Sequence, residues 1–134
     1  MRRTLFGLLV FGLMAGVTSH AHHSFARDYF EDRSISIEGE VQQFELRNPH
    51  AVLYVRAADD TGQLRTYAAE WGAPSRLARS GVDINTLKPG DRVVVTGSPG
   101  RNPSEFRLHL KGIQRPADGW RWSGPGRRDS SARF

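Results

Sequence analysis

Residues 34–47 read Ser-Ile-Ser-Ile-Glu-Gly-Glu-Val-Gln-Gln-Phe-Glu-Leu-Arg, with Ile35, Ile37, Val41, Phe44 and Leu46 as the apolar members. Alternation of this kind marks a half-buried strand, and it slips once, around Gln42 and Gln43. A long strand with a bulge explains both the slip and Gly39, because a strand that bends between two sheets breaks parity where it bends. Asn48-Pro49 then ends it, since proline cannot donate to a ladder. A long, bent first strand is the element from which a small barrel is built.

Working outward, Ala51 to Ala57 reads as a second strand, and Asp59-Asp60-Thr61-Gly62 supplies the turn of a hairpin. A third strand runs from Gln63 to Trp71. The segment Pro74 to Ser80 has proline early, Leu77 and Ala78 inside and Gly81 after it, which is the start and stop grammar of a short helix. Leu87-Lys88-Pro89-Gly90-Asp91 is a turn into a valine-rich fourth strand, Arg92 to Thr96, closed by Gly97-Ser98-Pro99-Gly100, and a fifth strand spans Glu105 to Gln114. Three strands, a short helix and two further strands is the order of the OB-fold, a five-stranded partly open barrel whose end the helix plugs. A small β-sandwich has a similar strand count but does not predict the helix position. The fold class expected is all-β: a five-stranded OB-like barrel over residues 34–114.

The flanks differ in composition. Met1, Arg2 and Arg3 precede an apolar run from Leu5 to Val17 and then Thr18, Ser19, His20 and Ala21, the order of a secretory signal peptide over residues 1–21. The run is shorter than the roughly 20 residues of a spanning helix, so the expectation is export to the periplasm or beyond, with no stable membrane anchor. Small residues at Ser19 and Ala21 favour a mature start at His22, and Val17 with Ser19 would give His20. Removing Arg2 and Arg3 lowers the formal charge from +5 to +3, and part of the excess sits in the tail, so no nucleic-acid groove is implied. Residues 22–33 are expected to pack on the barrel through Phe25, Tyr29 and Phe30, and residues 115–134 to form a flexible basic tail carrying Trp120 and Trp122.

Several segments together resemble a secreted bacterial family of unknown function. They are Ala21-His22-His23-Ser24-Phe25, Asn48-Pro49-His50-Ala51, Glu70-Trp71-Gly72-Ala73-Pro74, Arg79-Ser80-Gly81 and Leu87-Lys88-Pro89-Gly90-Asp91, spread over residues 21 to 114. The resemblance implies export and a small β-barrel, with no activity or ligand to carry over.

The chain has no cysteine, which removes disulfides and thiolate metal sites from the argument. Both methionines lie in the signal, so thioether ligands are absent from the mature chain and a cuprous site is disfavoured. Histidine is then the informative residue type. A chain starting at His22 offers its α-amine and an imidazole to one metal ion, and His23, His50 and His109 are the candidate further ligands for Cu(II) or Zn(II). The same residues also suit structure: a solvated terminus, a turn after Pro49 and a strand surface. Glu70 beside Trp71 reads as a polar contact at the barrel mouth. Ser24 and Ser98 lack the strand–turn–helix elbow and base partner of a nucleophile, so no hydrolase is indicated. The leading expectation is a noncatalytic binding or accessory protein with a divalent metal near its N-terminus. The alternatives are a metal-free periplasmic protein-interaction module and a copper-dependent redox protein.

The exported protein is expected to begin at His22, or at His20 by the second frame. Intact mass spectrometry decides this, and a mature mass that retains Met1 through Val17 removes the terminal-amine reading.

Overall fold

β1, Ile35–Glu45, pairs antiparallel with two partners in the computed structural model of the protein, which describes residues 25–125. Its first half lies against β4 (Arg92–Pro99) and its second half against β2 (Val52–Ala58), the two overlapping at Gly39 and Glu40. Side chains cannot be accommodated where a strand coils this tightly between neighbours. A Cβ on Gly39 would lie 2.2 Å from the Arg56 carbonyl oxygen. The register against β2 shifts between Val41 and Gln43, the bulge that the slipped alternation predicted. The Lys-Pro-Gly-Asp turn serves the bulge: Val41 N–H donates to Asp91 O and Gly90 N–H donates to Val41 O, both at 2.8 Å.

β2 pairs with β3 (Leu64–Glu70), and β4 pairs with β5 (Arg107–Arg115). A parallel contact of Ala68, Ala69 and Glu70 with Arg107, Leu108 and His109 closes the circle. The order around the barrel is therefore β1-β2-β3-β5-β4, with a helix between β3 and β4, the OB-like arrangement read from the sequence. Inward-facing Val41, Leu53, Val55, Val93, Val95 and Leu108 fill the interior. The helix α1, Pro74–Arg79, has proline in its first turn, and Leu77 beneath it is fully buried. Gly81, at φ +81°, takes the left-handed conformation that ends it.

Three boundaries depart from the sequence reading. β4 continues through Gly97 to Pro99 rather than stopping at Thr96, because Gly97 forms a second bulge whose missing side chain lets the His109 carbonyl approach to 2.3 Å of the Cβ position. β5 starts at Arg107 because Pro103–Glu105 forms a 3-10 turn and Phe106 sits at φ 47°. The third concerns residues 115–125, expected to begin a flexible tail. Asp118 and Gly119, the latter at φ +74°, make a hairpin turn, and β6 (Trp120–Ser123) returns along β5. Trp122 packs edge-on against buried Trp71 at 5.0 Å between centroids, and its Nε1–H donates to Ser80 Oγ at 2.9 Å. Arg115 ties the hairpin to the barrel by donating to Asp118, to Asp91 at 2.9 Å and to Thr86 O at 2.7 Å. Among the described residues no helix is long and apolar enough to cross a membrane. The segment expected to be a signal peptide, residues 1–21, and the rest of the tail lie outside the described residues.

Leu77→Ala should lower the unfolding free energy by about 2–5 kcal/mol, from lost burial and the cavity left at the barrel end. Chemical denaturation monitored through the tryptophans measures it.

Candidate functional site

Parallel closure of β3 on β5 sets Glu70 beside His109, both facing outward, with Arg107 and Lys111 on the same face of β5. Residues 25–33 cover this outer face. A helical turn over residues 25–28 delivers Tyr29 to a bridge with Gly100, and Phe30 N–H donates to Pro99 O at 2.9 Å. Arg101 completes the docking: its N–H donates to Asp28 O at 2.9 Å, and its guanidinium donates to Ala26 O and lies over the Phe30 ring. Tyr29 on this segment is only 1% exposed, and Phe30 lies beneath the Arg101 guanidinium.

Phe25 brings the two described histidines together. Its ring stacks on His109 with centroids 3.6 Å apart and planes within 3°, and it meets His50 at 4.5 Å. His50 arrives from the turn after the cis Asn48–Pro49 bond, His109 from β5. Each imidazole turns its Nδ1 toward a carboxylate. His109 Nδ1 is 2.8 Å from Glu31 Oε1, and His50 Nδ1 is 3.7 Å from Glu70 Oε2. Neither Nε2 has a hydrogen-bond partner among the described residues. An ionised carboxylate only accepts, so the His109 bond fixes the tautomer with the proton on Nδ1. Although burial pushes the Glu31 carboxyl up, hydrogen bonds from Lys111 and His109 outweigh it and hold the group below the ordinary range. Burial also lowers His109, and the Glu31 bond, which works the other way, does not overcome it.

Glu70, singled out from the sequence as a polar contact, is the second hub. It accepts from Arg107, which also faces Glu105, and it borders the buried Tyr29 hydroxyl. Burial, then Glu70, raises the Tyr29 pKa, so the phenol stays protonated, and it forms no hydrogen bond among the described residues. Sequence reading missed Glu31, which no pattern marked, and Arg107 and Lys111, whose one signal was the outward alternation of β5.

Of the four candidate metal ligands, His50 and His109 converge on Phe25, whereas His22 and His23 lie outside the described residues. Among the described residues, no group of three or more His, Asp or Glu side chains is arranged to hold a metal ion. Two imidazoles alone make an incomplete coordination set. Away from this site, Trp71 and Tyr67 are core, and Tyr54 is half-buried on the outer face of β2.

A histidine held below its ordinary pKa of 6.5 is protonated more readily in the unfolded chain, so stability falls with pH. The contribution of His109 is complete above 6.5 and is lost as pH falls through the lower folded value. Glu31 adds a loss of the same sign beneath its ordinary value of 4.5. Unfolding free energies of metal-free protein measured from pH 8 to acid should drop below 6.5 in the wild type and more shallowly in His109→Gln.

No curated protein matches this chain. The model of a family of unknown function matches residues 12–109, from the apolar N-terminal run to the stacked histidine of β5. Since that is most of the sequence, the chain belongs to the family of unknown function DUF6152.

Proposed function

We propose that this is an exported, noncatalytic binding protein that holds a divalent metal ion, Cu(II) or Zn(II), between its N-terminal histidines and the imidazoles of His50 and His109. The observation that carries the reading is that both imidazoles meet one Phe25 ring, each with Nδ1 toward a carboxylate and Nε2 without a partner among the described residues. For His109, bonded to Glu31, that is the arrangement of a metal-ligating histidine, in which a carboxylate on one ring nitrogen orients the ring and raises the basicity of the other, and His50 has Glu70 on the corresponding side at 3.7 Å. His23 and His22 precede Phe25 by two and three residues. A chain spans at most about 3.6 Å per residue, so covalent connection alone keeps their Cα atoms within about 11 Å of the Phe25 Cα. Export and cleavage before His22 would add the α-amine as a further nitrogen donor. A nitrogen-rich donor set without thiolate or thioether suits Cu(II) and Zn(II).

The metal-free interaction module and the copper redox protein have less support. Trp122, which the interaction reading would use, is spent on Trp71 and Ser80. A redox role adds to the metal site two further requirements, an open coordination position and a substrate held beside it.

Calorimetric titration with Cu(II) and Zn(II) tests the proposal. Protein starting at His22 should bind at least about tenfold more tightly than protein carrying one extra N-terminal residue, whose amide replaces the amine. His50→Gln and His109→Gln should each weaken binding in the processed background, and affinity should fall as acid protonates the imidazoles. Equal affinity in both N-terminal forms, or no binding at micromolar protein, refutes the reading.

A further inference from the structure

Beyond the imidazoles, on the other side of Glu31, a cavity of about 300 Å³ opens between the N-terminal segment and the outer face of β4 and β5. Glu31, Asp32, Arg33 and Lys111 contribute to its walls, together with Ser98. Ser98 is the one buried polar residue among those described, at 2% exposure. It faces outward from β4 opposite His109, and its hydroxyl has no hydrogen-bond partner among the described residues. The enclosed polar side-chain atoms without a partner among the described residues are the Tyr29 hydroxyl and Trp71 Nε1, so Ser98 Oγ opens to the cavity and can donate into it. A single water occupies about 30 Å³, far less than this space. The volume lies at the small end of the range for ligand sites, which points to a ligand of a few heavy atoms.

The charges on the walls define its chemistry. Two carboxylates, Glu31 and Asp32, stand with two cations, Arg33 and Lys111, so the described lining is neutral overall but strongly polar. A simple anion or a simple cation would satisfy half of it and meet repulsion from the rest. No aromatic side chain among the described lining offers a platform for the apolar face of a sugar. Lys111 spends one of its three N–H donors on Glu31 Oε2, and each Glu31 oxygen accepts one bond, leaving donor and acceptor capacity on both. Asp32 has no ion-pair partner among the described residues.

We propose that this cavity binds a small zwitterion of the α-amino-acid class. The ligand carboxylate accepts from Ser98 Oγ–H and from a free N–H of Lys111, and its ammonium donates to Glu31 and Asp32. The site is separate from the metal proposal, although Glu31 borders both.

Titration of the metal-free, chelator-treated full-length exported protein with L-alanine, followed by amide NMR, tests it without reference to any metal. Saturable shifts are expected at the amides of Asp32, Ser98 and Lys111. Ser98→Ala and Lys111→Gln should each weaken binding about fivefold, the scale of one hydrogen bond, and the same spectra report whether each variant is folded. Acetate and methylamine, which each carry half of the charge pattern, should produce no saturable shift. Absence of a saturable response to L-alanine, affinity unchanged in both variants, or saturation by acetate alone would overturn the proposal.

Discussion

The parallel contact of β3 with β5 joins Ala68, Ala69 and Glu70 to Arg107, Leu108 and His109, and it converts an open antiparallel sheet into a barrel. Closure of this kind removes the sheet edges that would otherwise stand unpaired. It demands that β1 coil sharply enough to serve both β2 and β4, and the coil exists because Gly39 and Gly97 carry no side chain where carbonyl oxygens press in. The same contact has a second consequence outside the barrel. It sets an acid of β3 beside an imidazole and a guanidinium of β5, so charged groups cluster on the outer face at the seam.

A seam with Glu70, Arg107, His109 and Lys111 facing outward would be a solvated surface of modest electrostatic value if water reached it freely. Residues 25–33 change that. Tyr29 and Phe25 cover the seam, and burial beneath them strengthens each remaining interaction while lowering the charge state that His109 prefers. The backbone bonds to Pro99, Gly100 and Arg101 hold the cover in one register, so the rings of Phe25, His50 and His109 meet in a defined geometry. The N-terminal segment is thus part of the barrel's outer wall, and the chemistry of this face depends on its docking.

Glu31 sits where the two proposed functions adjoin. It receives a bond from His109 on one oxygen and from Lys111 on the other, which orients an imidazole on one side and a cavity wall on the other. A comparable hub lies elsewhere on the barrel: Arg115 holds the Lys-Pro-Gly-Asp turn through Asp91 and the β6 hairpin through Asp118. The two hubs differ in what surrounds them. Arg115 lies over the Trp120 ring of the β6 hairpin, whereas Glu31 stands with titratable groups around the rings of Phe25, His50 and His109.

The strand order, the bulge in β1, the helix between β3 and β4 and the burial of Leu77 were legible in the sequence, because alternation, proline and glycine act over a few neighbouring residues. The sixth strand was not: its turn signal at Asp118 and Gly119 is local, but its stability comes from Trp122 against Trp71, residues fifty-one apart. Nor could spacing reveal that His50 and His109 share Phe25, or that Glu31 and Glu70 would turn to them, since those residues belong to separate strands and segments. What the sequence by itself determined is each element and the face it buries, which local sterics and hydrophobic periodicity dictate. Which outward-facing side chains meet was decided by tertiary structure alone, because that depends on the long-range register of β3 against β5 and on where the N-terminal segment docks.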